Sequence, residues 1–505
     1  DEDFLKIIRT FNNNNVAGYF YKFHKYEYLY KQETKIGTWF MLNKLNIWEK
    51  TNNETPAKFK LCIMDFIIDK IEKKIKLTKI KMKNMSAEDI EKGLKTKYAD
   101  SIKDCGVIIR KLGNVSVIKG AIEMLKELYS NNDITTILLE QTVNINKLCF
   151  LNGYINLNEK SPYILHEIQA TDYIMITTNY NYNPKPSKIE YVNEILDKIA
   201  KDKHKEYLLS VIAKAMFGQN KNRHFYIFTG SGANGKSMLC ADLIKPALGS
   251  YYKELDASYY TQATRSGAPT PDMANTEYTR VLVASEPESS EKLQSAKIKA
   301  LTGLEPISSR ALYKDTSIWT PQFTPIMLCN EKPDFNKFDK AIAQRVKLIP
   351  FTSKFVDNPK LSFEYLLNNN LKSELNDDID ESIRQSFMCI LLQHYENTIT
   401  INDDIISLEA TQEFIDSQNP LNDFINTHLQ KDNAEDALYI DVYEEYKFYY
   451  ASGGFESNKM MNKVNFSKCL KINNIEVKKK GTKNISYILY HKLIKEEKKE
   501  IDIDI

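Results

Sequence analysis

Residues 224–238 read HFYIFTGSGANGKSM. The part over 225–228 is apolar and aromatic, as a short buried strand should be. A glycine-rich turn follows, and helix formers run from Lys236 to Leu248, with Gly249 placed as a C-cap. Gly230, Ser231, Gly232, Ala233, Asn234, Gly235, Lys236 and Ser237 match G-x-x-x-x-G-K-[ST] at each fixed position. The spacing has a physical reason. Glycines let the backbone wrap an anion with successive N–H groups pointing inward, and the helix N-terminus adds partial positive charge. Lys236 is expected to reach the β- and γ-phosphates of a nucleotide, and Ser237 to ligate Mg²⁺; Met238 continues the binding turn.

The whole chain bounds what this unit serves. At 505 residues it exceeds one ordinary core, and roughly two to four domains are expected. A hydrophobic content of 42% with 27% charged residues describes a folded chain. The formal net charge is only +2, so any nucleic-acid surface must be local, a channel or a patch. Cys62, Cys105, Cys149, Cys240, Cys329, Cys389 and Cys469 are scattered, without C-x-x-C or zinc spacing, which argues for a reducing compartment and against a structural metal. No apolar run approaches the roughly 20 residues of a membrane span, and no signal peptide is visible. The chain begins at Asp1 and is read as a piece of a longer protein.

Residues 38–49 read as two aromatic strands joined at Asn43-Lys44, and a helix from about Pro56 buries Phe59, Cys62, Ile63, Phe66 and Ile67. The lysines of 70–83 read as a solvated helix end before a nucleic-acid patch. Residues 148–157 form a hairpin about Asn152-Gly153. Pro184 and Pro186 mark a linker before helices at 189–200 and 206–217. Strand and helix alternate over 218–355, and 356–415 reads as helical with an apolar stretch at 387–392. At the C-terminal end, helices at 439–451 (Gly453-Gly454 following) and 462–472 precede a basic β-ribbon at 478–483, the outline of a winged helix.

Three segments narrow the chemistry. Residues 280–288, RVLVASEPE, are an apolar strand ending in acids, which sets a carboxylate where Mg²⁺ and an attacking water gather. Glu286 is assigned to that place, with Glu288 second. Residues 323–330, FTPIMLCN, end in Asn330, whose amide can polarise the lytic water or sense the γ-phosphate. Residues 339–345, DKAIAQR, are placed on a helix before a strand, and Arg345 there could reach a neighbouring subunit's γ-phosphate.

Together these segments resemble the superfamily 3 helicases, specifically the poxvirus-type primase-helicase family of large DNA viruses, phages and plasmids. The resemblance rests on GSGANGKS (230–237), VLVASEPE (281–288), KALTGLEPISSRALYKD (299–315), IMLCNEKP (326–333) and DKAIAQRVKLIPF (339–351), with FLNGYINL (150–157) similar to the family's upstream domain. Gln344 departs from a family pattern that often has a second Arg, which leaves Arg345 as the local candidate. The resemblance implies an α/β AAA+ (superfamily 3) P-loop ATPase core with an α/β N-terminal region, a mostly helical collar and a C-terminal winged-helix-like domain. The implied boundaries are 1–114, 115–205 (collar and oligomerisation), 206–355 (core), 356–419 (helical lid or linker) and 420–505. It also implies a homohexameric ring using ATP and Mg²⁺ at subunit interfaces, with single-stranded DNA in its channel. A hairpin at about 307–318 would enter that channel, with Tyr313 and Lys314 near its tip. Arg310 would assist, or brace the hairpin through an ion pair.

The expected function is an ATP-dependent replicative DNA helicase acting on forked duplex, the helicase part of a primase-helicase. Residues 1–110 lack a primase metal-binding acid pattern, so a primase domain is expected upstream and polymerase factors are candidate partners. The expected place of action is a viral or phage replication site inside the host cell, with no membrane involved and no secretion. The alternative is an ATP-switched DNA-binding initiator or scaffold without processive unwinding. For that reading Lys478, Lys479 and Lys480 on the ribbon would contact phosphates, or the tail would bind protein instead. A P-loop kinase would want an acceptor pocket and a lid, and the 307–318 segment and Asn330 speak against it.

Overall fold

Five apolar segments pair in parallel to make the sheet that carries the site. The structure, a computed structural model, describes residues 2–32, 37–51, 57–113, 115–130, 144–263, 270–288, 291–310, 316–396, 403–418, 420–432, 434–452, 460–472, 475–481 and 484–494. The strands are β1 (Phe225–Thr229), β2 (Tyr252–Leu255), β3 (Val281–Ala284), β4 (Thr324–Cys329) and β5 (Val346–Pro350). Their order across the sheet is β5-β1-β4-β3-β2, every neighbour parallel. Strands β1 and β3 are buried along their whole length. A parallel sheet covered on both faces demands such unbroken apolar runs instead of alternation.

The two faces can be read from side-chain parity. Tyr226 and Phe228 of β1 join Ile195, Leu208, Ile212, Leu243, Phe387 and Leu391 in one core. Phe225 and Ile227 point the other way, into a second core with Tyr260, Ile298, Met327, Leu348 and Phe414. Each fully buried Phe or Leu contributes about 1.5–3 kcal/mol, so both layers hold β1 in place. The helix after the loop runs over 236–248 and widens to π geometry across Leu239–Ile244. It stops at Gly249, where φ is +54° and a Cβ would sit 2.1 Å from the Thr178 carbonyl oxygen.

A smaller sheet, Lys147–Phe150 with Gly153–Asn156 and Leu165–His166, packs Leu148, Phe150 and Ile155 into the first core. The hairpin about Asn152-Gly153 is present, with Phe150 opposite Gly153. Between 145 and 188 the described residues hold no helix except the short turn Ala170–Asp172. This part of the expected helical collar is therefore sheet and irregular chain. Its Asn-Gly, Ser-Pro and Asn-Pro steps are turn signals that interrupt any helix.

Residues 2–130 gather around Trp39, which is fully buried among Phe59, Tyr129 and Tyr30. Helices Asn13–His24, Ala57–Lys83, Leu94–Leu112 and Val115–Ser130 enclose an antiparallel sheet of Tyr28–Lys31, Thr38–Leu42 and Trp48–Lys50. The strand connection spans 43–47, longer than the Asn43-Lys44 turn expected, because the Asn43 side chain accepts from the Leu45 and Ile47 amides. Lys70 to Lys83 continue the same helix.

Residues 356–370 depart from the expected helix. Lys354–Val356 and Glu364–Leu366 pair as parallel strands instead. Asn358-Pro359 explains the break, since Pro disfavours helical backbone in the residue before it. Helices resume at Leu371–Asn376, Ser382–Glu396 and Ile405–Gln418. The C-terminal unit has its own core of Phe424, Tyr446, Phe466, Leu470 and Ile488. Helices Tyr439–Ser452 and Lys463–Ile472 precede the antiparallel ribbon Val477–Lys480 and Ile485–Ile488. Gly453, Gly454 and Lys483 lie outside the described residues.

Candidate active site

Loop 230–237 leaves the carboxyl end of β1, where β1 lies between β5 and β4. A crevice at the strand carboxyl ends is where open α/β sheets place ligands. Two glycines are required by the geometry. Gly230 has φ of +156°, and a Cβ there would lie 2.7 Å from the Phe351 carbonyl oxygen. Gly235 has φ of +87° and a Cβ would press on Ile199 at 3.1 Å. The Leu239 amide already returns to the Gly235 carbonyl at 2.9 Å, so the helix begins on the loop itself.

Lys236 is buried, with 4% of its surface exposed. Its ammonium donates to the Gly230 carbonyl at 2.6 Å, to Asn234 Oδ1 at 3.2 Å and to Asn330 Oδ1 at 3.4 Å. Burial pulls its pKa below the ordinary lysine value, and the charge of Glu286 opposes that. The Nδ2 of Asn234 is shut from solvent and has no hydrogen-bond partner among the described residues. That leaves a donor in the loop for a ligand oxygen.

Glu286 stands just past β3 and Asn330 just past β4, on adjacent strands. Glu286 Oε1 accepts from the amides of Asn330 and Glu331 at 2.8 and 3.0 Å, and Oε2 accepts from Asn330 Nδ2 at 2.8 Å. Asn330 thus offers oxygen to Lys236 and nitrogen to Glu286, which fixes the sense of its amide. The structure brings Lys236, Asn330 and Glu286 into one connected network. Glu288 is exposed and does not enter it. Ser237 is exposed at the helix start. Its hydroxyl and the Glu286 carboxylate are hard oxygen donors of the kind Mg²⁺ takes, one or two from protein with the rest from water and phosphate. Among the described residues no group of three or more His, Cys, Asp or Glu could hold a metal ion.

Arg345 lies elsewhere. It sits in the turn after the four-residue helix Lys340–Ala343, not on the helix expected, because that helix is already capped at Gln344. Its carbonyl accepts the Phe225 amide at 2.7 Å, which puts it at the amino end of β1. The loop is at the other end, five residues along, roughly 17 Å at strand rise. Arg345 Nη1 donates to the Ala341 carbonyl at 2.6 Å, and its Nε is buried without a partner among the described residues. A cavity of about 320 Å³ opens here, lined by Arg345, Arg223 and Lys299 together with Glu305. Arg223 was not legible as a site residue. Its only sequence signal is its place just before β1, at the same end of the sheet as Arg345.

The 307–318 segment has the base of a hairpin. Ile307–Ser309 pairs antiparallel with Ser317–Trp319, and the indole of Trp319 donates to Ser309 Oγ at 2.8 Å. Tyr313 and Lys314 lie outside the described residues. Arg310 is tied through its backbone to Thr270. On the C-terminal ribbon Lys478 pairs with Glu476 at 2.7 Å and Lys480 pairs with Asp436, while Lys479 is exposed. The described cysteines are all free, and no described helix is long and apolar enough to cross a membrane.

No protein-family model matches the chain. Two viral proteins named Putative helicase are similar to it. That of Acanthamoeba polyphaga mimivirus is 30% identical over 375 residues, 71% of this chain and 38% of the relative. That of Invertebrate iridescent virus 3 is 27% identical over 268 residues, 51% of this chain and 28% of the relative. Primase D5 of Fowlpox virus is 30% identical over 267 residues, 49% of this chain and 32% of that protein. The chain therefore spans about a third of the length of the curated relatives it matches. A solved structure of the apo C-terminal region of NrS-1 overlaps 66% of this chain and 81% of its own, at 12% identity and a TM-score of 0.36. A superposition that loose does not by itself establish a shared fold. By sequence, the chain is similar to helicase-named proteins of large DNA viruses and to the poxvirus primase D5.

Proposed function

We propose that this chain is the ATP-dependent motor of a DNA helicase, an AAA+ module of superfamily 3 that works as a ring. One observation carries the reading: Lys236, Asn330 and Glu286 form a connected network at the carboxyl end of the sheet, while Arg345 lies at its amino end. An arginine supplied in trans by a second copy would complete such a site. The cavity that Arg345 shares with Arg223, Lys299 and Glu305 would lie at that contact. A homohexamer is the assembly proposed, with the boundaries 1–114, 115–205, 206–355, 356–419 and 420–505 as its working division.

In this reading the loop amides and Lys236 hold the triphosphate. Ser237 and Glu286 would hold Mg²⁺, which when bound neutralises phosphate charge and orders water. Glu286 orients the attacking water, with Asn330 fixing the carboxylate and reporting on the γ-phosphate. Glu288 is the reserve carboxylate. Arg345 of the neighbouring copy stabilises charge on the transferred group. Movement of the 307–318 hairpin, with Arg310 at its described edge and Tyr313 and Lys314 beyond, draws single-stranded DNA through the ring. The names of the viral relatives support a helicase, and the name Primase D5 supports a primase as a partner activity. The test is strand displacement on forked DNA with ATP and Mg²⁺, by wild type and Lys236→Ala. ATP hydrolysis without displacement would favour an ATP-switched scaffold, and full activity in Lys236→Ala would overturn the site.

A further inference from the structure

Lys236 marks one flank of loop 230–237, and a different set of residues marks another. A Cβ on Gly235 would lie 3.1 Å from Ile199 Cγ1 and 3.4 Å from Phe355 Cε2. The Phe355 amide donates to the Ala233 carbonyl at 2.7 Å. The parallel strand pair after β5 is thus pinned to the phosphate loop at Ala233 and Gly235, and its residues are not among the hydrogen-bond partners of Lys236 Nζ, which are Gly230, Asn234 and Asn330 among the described residues. Beside Phe355 stands Tyr365, with ring centroids 5.9 Å apart and planes inclined by 37°. Lys201 Nζ lies 5.4 Å from the Tyr365 ring centroid. Both aromatic residues are half-buried. The Tyr365 hydroxyl is shut from solvent and meets no hydrogen-bond acceptor among the described residues. The ammonium facing it, Lys201, can only donate. A buried hydroxyl with an unspent proton destabilises the site until an acceptor arrives.

We propose that Phe355 and Tyr365 form the subsite for the base of the nucleoside triphosphate, a proposal that rests on loop 230–237 holding its phosphates. The base hangs from the α-phosphate, the end of the triphosphate remote from the γ-phosphate. Its wall must therefore come from residues packed on the loop elsewhere than at Lys236 Nζ. Ile199 and Phe355 are those residues, and Tyr365 extends them. A heteroaromatic base brings what the subsite lacks, a π face for the two rings and ring nitrogen or carbonyl acceptors for the Tyr365 proton.

The experiment is equilibrium binding by calorimetry on the full chain, with ATP and with inorganic tripolyphosphate as separate probes. Tyr365→Ala is expected to weaken ATP by roughly 5- to 100-fold, the range of one base–aromatic stack, and to leave tripolyphosphate binding unchanged. Tyr365→Phe keeps the stack and loses only the hydroxyl, so it is expected to weaken ATP by about fivefold. Equal weakening of ATP and tripolyphosphate in Tyr365→Ala, or no weakening of ATP, overturns the subsite. The phosphate reading fails separately, if Lys236→Ala binds tripolyphosphate as wild type does.

Discussion

Asn330 holds Glu286 at both carboxylate oxygens, by its own amide N–H at 2.8 Å and by its side-chain Nδ2 at 2.8 Å. The contact joins the tips of two neighbouring strands, and through Asn330 Oδ1 it extends to Lys236. Glu286 therefore cannot turn toward a ligand without breaking these hydrogen bonds or carrying the tip of β4 with it. Asn330→Ala keeps the backbone contacts and removes the side-chain one. We expect ATP hydrolysis to fall about a hundredfold, with ATP affinity changed by less than about threefold. Steady-state hydrolysis and equilibrium binding measure the two quantities. Losses of equal size in both would mean that Asn330 serves ground-state binding and not the reaction.

Arg345 and Lys236 lie at opposite ends of β1 and belong to different sites if the ring reading is right. Arg345→Ala is expected to bind ATP normally and to hydrolyse it at background, a loss of about 10³-fold or more. Lys236→Ala is expected to be inactive alone. A mixture of the two, after subunit exchange shown by a labelled protomer, should regain activity. It would do so at interfaces where an intact loop meets an intact Arg345. Arg223→Ala should give a smaller loss in the same complementation group as Arg345→Ala. Persistent silence of the mixture with exchange demonstrated would place Arg345 outside catalysis.

Much of the candidate site was legible because its residues lie in local sequence patterns. The glycines, Lys236 and Ser237 adjoin in sequence, and Glu286 and Asn330 follow apolar runs that could only be buried strands. What was not legible depends on distant backbone. Arg280 is 2% exposed and has no ion pair with an acid among the described residues. It donates instead to the carbonyls of Ile145 and Asn144 at 2.9 and 2.7 Å, across more than a hundred residues. The strand pair at 354–366 escaped for another reason. Its residues carry no alternation, and its pairing is set by contact with the loop, through Phe355 and Ala233. Arg345 read as helical because DKAIAQR is a good helical sequence, yet the chain must extend to enter β5.

His224 gives the core a pH limit. It lies against the buried Tyr226 hydroxyl at 3.1 Å. Burial, reinforced by the charges of Lys347 and Lys214 and opposed by Asp403, pulls its pKa down to about 4. The unfolded chain, with a histidine near 6.5, takes up the proton first as pH falls. Stability from this group is therefore full above about pH 6.5 and drains between there and about 4, by at most roughly 3 kcal/mol. His224→Gln should remove that part of the slope. Thermal unfolding midpoints of both proteins at pH 7.5 and 5.0 test it. A drop as large in the variant as in wild type would assign acid sensitivity to other groups.

The three ribbon lysines are not equivalent, although the sequence writes them in a row. Lys478 and Lys480 face Glu476 and Asp436, so each must exchange a carboxylate for a phosphate on binding DNA. Lys479 has no such partner among the described residues, and it is exposed. If the C-terminal unit contacts the DNA backbone, Lys479→Ala should lower the slope of log affinity against log salt by about one. Lys480→Ala should change that slope less, while it frees Asp436, whose carboxylate also accepts from the Tyr490 amide at 2.9 Å. Fluorescence anisotropy on forked DNA between low and moderate salt reads the slopes. An unchanged slope in Lys479→Ala, with the fork still bound, would move DNA contact off the ribbon. The unit would then be better understood as a protein-binding module, with Lys478 and Lys480 already paired within the fold.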